Sequence, residues 1–324
     1  MKPNNFLSKN TVSISNSGAI HIAFVSDRNY LNFVFIAVTS LLDNFNPDNN
    51  LIIHLVHPGI EDSELAPLMS LRRICDFNLQ LHKIDLESFE KRWGLRSPLM
   101  YRLELPELCP DVDRMIYCDC DLVFLDDIQK LFDFELGDAV IAGRGDRAGR
   151  KVEHVTGVPA GQYFNSGVLL MDLKAMREMD AVNGMAALWN SLEVKPRYCD
   201  QSLLNMYFKE NSKFLPSEWN MINEVYRRLP VENMYTIDEI IYSISHPGIA
   251  HFTGSHKPWK FFKFTHHAYA PWFWHYALKA PIPMRLKIKY WLKRLFTGRY
   301  HDSRHEARPW NYKMVHLPGR KRHD

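Results

Sequence analysis

Short apolar runs alternate with longer helical stretches over the first 120 residues. His21-Ile22-Ala23-Phe24-Val25 reads as a buried strand, followed by the polar turn Ser26-Asp27-Arg28-Asn29-Tyr30. An apolar helix is predicted over residues 31–42, and Leu51-Ile52-Ile53-His54-Leu55-Val56-His57 repeats the strand signal before Pro58-Gly59 ends it. Residues 61–74 have helical spacing and residues 77–84 alternate like a third strand. Met115-Ile116-Tyr117-Cys118 is a fourth strand and runs directly into acidic residues. This alternation predicts an α/β fold, a parallel sheet with helices on both faces. In such sheets ligands gather beyond the carboxyl ends of the strands. Asp27 and Asn29 after the first strand, and Asp119 and Asp121 after the fourth, are therefore privileged positions. No internal repeat is visible, and from about Pro271 the pattern turns helical, aromatic and basic.

At 324 residues the chain is long enough for one large α/β domain with extensions, or for two smaller ones. The apolar stretch over residues 31–42 is too short to span a bilayer. Residues 1–18 are polar and lack the apolar core of a signal peptide, so a cytoplasmic location is expected. Five scattered cysteines, with only Cys118 and Cys120 close together, predict reduced and mostly buried thiols rather than a zinc site. Charge is unevenly distributed. Residues 281–324 hold twelve Lys and Arg against three Asp and Glu, leaving 28 basic against 34 acidic residues in the rest. An acidic body with a basic tail points to an anionic surface as a partner of the tail. It argues against nucleic acid, for which no recognition module is present.

Four segments can carry chemistry. In Tyr117-Cys118-Asp119-Cys120-Asp121-Leu122-Val123, two carboxylates after a buried strand can converge on one hard divalent cation. On its own the triplet also suits an acidic turn. His251-Phe252-Thr253-Gly254-Ser255-His256-Lys257-Pro258-Trp259 offers an imidazole ligand, a glycine permitting close backbone approach and a cation for phosphate. A loop with a structural His and a solvated Lys is its bland alternative. Asn165-Ser166-Gly167 opens an apolar strand and is either a tight turn or a set of sugar-binding amides. Asp200-Gln201, at the start of a helix, is either a cap or a catalytic pair.

Taken in order, Asp-Arg-Asn-Tyr, Tyr-Arg-Leu, Asp-x-Asp, Phe-Asn-Ser-Gly-Val-Leu-Leu, Asp-Gln and His-Phe-x-Gly-x-x-Lys-Pro-Trp resemble the retaining glycosyltransferases of family 8. The bacterial lipopolysaccharide galactosyl- and glucosyltransferases are the most similar members, and the resemblance runs from about His21 to Trp259. It implies a GT-A nucleotide-sugar-binding fold, Rossmann-like, with a mixed sheet flanked by helices. The domains expected are a polar arm over residues 1–20, a catalytic domain over 21–270 and a helical basic extension over 271–324. By the same resemblance Asp119, Asp121 and His251 hold Mn (or Mg) at a UDP diphosphate, and Asp27 and Asn29 contact the uridine. Arg102 lies near the donor sugar and phosphate, and Asn165, Asp200 and Asp146 meet sugar hydroxyls. Gln201 sits under the anomeric carbon, and Gly254 with Lys257 clamps the diphosphate. Two departures stand out: Ser202 occupies a position where bacterial members usually carry a second Asp, and Cys120 is a soft residue between hard ligands.

The implied reaction is retaining transfer of galactose or glucose from a UDP-sugar to the lipopolysaccharide core. Family frequency leans to galactose and to a 1,3-linkage. Because Gln201 is an uncharged amide and a poor nucleophile, front-face attack is expected, with Asp200 and Arg102 beside it. The basic segment 284–296 mixes five cations with Leu, Ile, Trp and Phe and suits peripheral contact with the anionic inner face of the bacterial inner membrane. Two alternatives remain. Asp119-Cys120-Asp121-Leu122-Val123 also fits a haloacid-dehalogenase-like phosphatase with Asp119 as nucleophile, although that motif normally sits on a first strand. The other is a non-catalytic homologue that only binds nucleotide-sugar or glycan.

Overall fold

The computed structural model describes residues 18–222, 234–254, 257–260 and 268–304, the last with side chains to residue 295. The first seventeen residues of the polar arm and residues 305–324 of the basic extension lie outside the described residues.

In chain order the elements are β1 (Ile20–Val25), α1 (Leu31–Asn44), β2 (Leu51–His57), α2 (Asp62–Met69), β3 (Asn78–Lys83), α3 (Leu86–Trp93), α4 (Leu105–Leu108), β4 (Arg114–Cys118), β5 (Leu122–Phe124) and α5 (Gln129–Phe132). There follow β6 (Ile141–Gly145), α6 (Gly149–Thr156), β7 (Phe164–Asp172), α7 (Leu173–Glu178), α8 (Ala181–Ser191), α9 (Cys199–Tyr207), β8 (Ser212–Phe214) and β9 (Met221–Ile222). The last are α10 (Ile237–Ser245), β10 (Ile249–His251), α11 (Ala270–Lys279) and α12 (Met284–Arg304).

Local chemistry accounts for these boundaries. The helix α1 is apolar almost throughout, and its buried hydroxyls are satisfied within the helix: Thr39 donates to the Phe35 carbonyl at 2.6 Å and Ser40 to Ala37 at 2.7 Å. Asp85 caps α3 by accepting from the Glu87 N–H, and Gly94 ends it in the left-handed conformation that costs glycine nothing. The segment expected to be one helix over 61–74 divides into α2 and a 3-10 turn at Ser70–Arg73.

A seven-stranded sheet runs in the order β3-β2-β1-β4-β7-β6-β8. The four N-terminal strands are parallel, as their alternation with helices predicts. Strand β7 is antiparallel to both β4 and β6, which makes the sheet mixed. Strands β1 and β2 are buried along nearly their whole length and are covered on both faces, hence their continuous apolar runs. One face packs Ile22, Phe24, Ile53 and Leu55 against α1 and α11. The other packs Ala23, Val56 and Tyr117 against the α3, α8 and α9 side. Phe273, Trp274 and Tyr276 of α11 are buried in the first of these cores.

A small second sheet, β5-β10-β9, positions the chemistry. Strand β10 is antiparallel to β5 in a register that sets His251 opposite Leu122, the residue after Asp121. The Phe252 N–H then donates to the Asp121 carbonyl at 2.9 Å.

Candidate active site

The turn from β4 to β5 carries Asp119, Cys120 and Asp121. Cys120 points back into the core and donates its thiol to the Val25 carbonyl at 3.0 Å, so the flanking carboxylates share the other side. His251 Nε2 lies 3.0 Å from Asp121 Oδ1 and 3.6 Å from Asp119 Oδ2. One ligand atom from each of the three residues falls within 4.8 Å of the others, a span one divalent cation can bridge. On the far side of the imidazole, His251 Nδ1 is 2.9 Å from Asn220 Oδ1. The Asn220 amide is itself oriented by donating Nδ2 to Asn165 Oδ1 at 2.9 Å. That arrangement puts the ring proton on Nδ1 and aims the Nε2 lone pair at the carboxylates, as metal ligation requires. The residues present therefore fit a hard divalent cation, and the imidazole suits Mn better than Ca.

Lys257 ion-pairs with Asp121 Oδ2. Its loop turns at Gly254, whose φ of 68° belongs to the left-handed region. The loop is anchored by Trp259, whose ring packs at a tilt with its centroid 4.3 Å from that of Phe33 and 5.0 Å from that of Phe273. Burial alone would raise the Asp121 pKa, but His251 and Lys257 outweigh it and hold the carboxyl well below the usual range.

Arg102 links this trio to a second polar cluster. Its buried guanidinium reaches Asp119 Oδ1 at 2.9 Å and Asp200 Oδ2 at 3.3 Å, donates to the Ser166 carbonyl at 2.7 Å and lies 4.3 Å over the Tyr117 ring. Burial opposes its charge, yet Asp119, Tyr117 and Asp200 together push its pKa up. Asp200 is also buried, which pushes its carboxyl above the ordinary value even with Arg102 beside it. Asn165 Nδ2 donates to Asp146 Oδ2 at 2.9 Å and to Gln201 Oε1 at 3.1 Å. The Gln201 Oε1 also accepts from the Ser166 N–H at 3.2 Å, and its Nε2 donates to Asp146 at 3.2 Å. Asp200 and Gln201 thus face the site from the first turn of α9 rather than capping it. Ser202 turns away and bonds the Tyr163 hydroxyl at 2.8 Å.

Eight of the twelve residues singled out from sequence, Arg102, Asp119, Asp121, Asn165, Asp146, Asp200, Gln201 and His251, form one connected polar network, and Lys257 joins it through Asp121. Gly254 sets the path of that loop. Asp27 and Asn29 stand apart in the turn after β1, where Asp27 Oδ1 accepts from the Asn29 and Tyr30 N–H groups at 2.9 and 3.0 Å. Only their position, next to the Val25–Cys120 contact, relates them to the network.

Asn220 was missed because a single Asn in a short 3-10 turn carries no sequence signal. Gly167 is the other omission. A Cβ there would sit 2.1 Å from His251 Cε1 and 2.9 Å from Asp119 Oδ2, so only glycine lets β7 pass under the trio.

The sequence model of glycosyl transferase family 8 matches residues 21–262. General stress protein A of Bacillus subtilis is 25% identical over 269 residues, 79% of this chain and 92% of that protein. A lipopolysaccharide 1,2-glucosyltransferase of Escherichia coli is 26% identical over 257 residues, 76% of this chain and 75% of that protein. Among solved structures, the galactosyltransferase LgtC in complex with donor and acceptor sugar analogues superposes with a TM-score of 0.69 at 25% identity. That alignment covers 83% of this chain and all of LgtC. The fold is accordingly GT-A, with the mixed sheet expected of it, and the phosphatase alternative is not favoured: its motif sits here on the fourth strand. With the match spanning β1 to the Lys257 loop, and every element of the network inside it, the chain belongs to glycosyl transferase family 8.

Proposed function

We propose that this protein transfers galactose or glucose, with retention, from a UDP-sugar to the lipopolysaccharide core at the cytoplasmic face of the bacterial inner membrane. One observation carries the reading: Arg102 joins the Asp119–Asp121–His251 trio to the Asp200–Gln201–Asn165–Asp146 cluster, so a diphosphate site and a hydroxyl-binding site share one wall. The lipopolysaccharide 1,2-glucosyltransferase among the relatives supports the acceptor class.

Asp119, Asp121 and His251 would hold Mn (or Mg), which when bound neutralises diphosphate charge and eases its departure. Lys257, with the Gly254 turn, pairs with the phosphates, and Asp27 and Asn29 receive the uridine at the end of β1. Asn165, Asp146 and Asp200 read sugar hydroxyls, and Arg102 holds the sugar and its phosphate. The Gln201 carbonyl already accepts two hydrogen bonds, which disfavours it as a nucleophile and favours front-face attack. In that step the bond from the anomeric carbon to the phosphate oxygen breaks and one to the acceptor hydroxyl oxygen forms on the same face. The acceptor proton passes to the departing diphosphate. Gln201 and Asp200 stabilise the positive charge that develops on the sugar.

The decisive assay is UDP release with Mn, screening UDP-galactose, UDP-glucose and UDP-N-acetyl sugars against truncated lipopolysaccharide cores, with Asp121→Ala alongside. Acceptor-dependent turnover of one donor, lost in the variant, is expected and names the sugar. Mn-dependent UDP binding without turnover of any donor or acceptor would overturn the reading in favour of a non-catalytic binder.

A further inference from the structure

Away from that network, on the face of the sheet that also carries Ala23 and Val56, three histidines cross three neighbouring strands: His21 on β1, His54 on β2 and His82 on β3. His54 Nδ1 lies 2.9 Å from His82 Nε2, and the thiol of Cys109, just after α4, lies 3.6 Å from both nitrogens. His54 and Cys109 are buried and His82 is half-buried. None of these residues touches the proposed donor site, and the five cysteines are all free thiols.

We infer that His54 Nδ1, His82 Nε2 and Cys109 Sγ form a second metal site, for a borderline-soft divalent cation of the zinc type, with water at the fourth position on the half-exposed side of His82. The argument begins with distances. A tetrahedral ion at about 2.3 Å from sulfur and about 2.05 Å from nitrogen sets sulfur and nitrogen about 3.6 Å apart and the two nitrogens about 3.3 Å apart. Both sulfur–nitrogen distances already have that value, and the nitrogens need to part by a few tenths of an ångström.

Orientation points the same way. His54 Nε2 faces His21 Nδ1 at 2.9 Å, so the His54 ring is held by a partner outside the cluster, as ligating imidazoles usually are. With metal bound, His54 would carry its proton on Nε2 and donate it to His21 Nδ1, whose own proton then sits on Nε2, leaving His54 Nδ1 and His82 Nε2 as lone pairs. Binding would displace the Cys109 thiol proton to water as the sulfur–metal bond forms. Two imidazoles and a thiolate select zinc over Mg, Ca or Mn, which separates this site chemically from the Asp119–Asp121–His251 trio. Filled, it would clamp β2 and β3 to the segment leading into β4, the strand that delivers Asp119.

The test uses the full chain, stripped of metal by a chelator, in a His251→Ala/Asp121→Ala background that removes the other trio. Zinc is titrated against a chromophoric chelator, and cobalt(II) is added separately as a spectroscopic probe. One zinc per chain, a thiolate-to-cobalt charge-transfer band and a rise in Tm with zinc are expected. Cys109→Ser should abolish the band, and His21→Leu should weaken zinc by about 10–100-fold. Circular dichroism of each variant distinguishes loss of site from loss of fold. A folded protein that binds no zinc, or a cobalt spectrum unaltered by Cys109→Ser, would overturn the assignment.

Discussion

The Oδ1 of Asn220 stands 2.9 Å from His251 Nδ1, while the same amide donates Nδ2 to Asn165. One side chain thereby sets the tautomer of an imidazole in the trio and joins it to the cluster of Asn165, Asp146, Asp200 and Gln201. Asn220→Leu, which keeps bulk but removes both bonds, should weaken Mn affinity by about 10–100-fold. Titration of Mn against activity, with free Mn measured by electron paramagnetic resonance, reads this directly. An unchanged Mn dependence would remove Asn220 from the site.

Gly167 and Gly161 give a matched pair. An alanine Cβ at 167 collides with His251 and Asp119, whereas at 161 it meets nothing within 4 Å. Gly167→Ala should cost about 1–3 kcal/mol in denaturant unfolding, with loss of transfer activity. Gly161→Ala should stay within about 0.5 kcal/mol of the parent. Equal behaviour of the two would mean that β7 can move away from the trio.

Arg102 is enclosed by two carboxylates that need its charge. Replacing it by Met leaves Asp119 and the buried Asp200 facing each other and should destabilise the fold by about 3–5 kcal/mol. Adding Asp200→Asn should recover part of that stability without recovering transfer. Recovery of both would show that Arg102 acts only as a structural counter-ion.

The helix α12 exposes Met284, Ile288, Trp291 and Leu295 among Arg285, Lys289 and Arg294, while Tyr290 is buried against the core. Among the described residues no helix is long and apolar enough to cross a membrane. Binding to vesicles containing phosphatidylserine should fall as salt rises, since each basic residue near an anionic surface contributes about 1 kcal/mol. The triple substitution of Ile288, Trp291 and Leu295 by Ser should release the protein in a sedimentation assay. Equal binding of parent and variant would refute contact through this face.

Much of the fold was legible before any coordinates. The strands β1, β2 and β4 and the helix α1 are written in local apolar runs, because buried parallel strands need little else, while the more exposed β3 is written in alternation. The order of the motifs, from Asp27 to Trp259, pointed to the family and to the residues of the network. The strand and helix signals are local, each depending on neighbours within a few positions, and the motif signal is one of order along the chain, not of contact.

Long-range register decided the rest. The antiparallel placement of β7 beside β4 brings Gly167 under Asp119, and the pairing of β10 with β5 brings His251 to Asp121 across 130 residues. Asn220 joins two clusters only because β9 lies beside β10. The scattered histidines and cysteine at 21, 54, 82 and 109 had no meaningful spacing until three strands paired and put their side chains on one face. By itself, the sequence determined which segments form strands and helices and which chemical groups are available. Tertiary structure decided which of those groups meet, because the face and neighbour of a strand residue are set by pairing with distant strands.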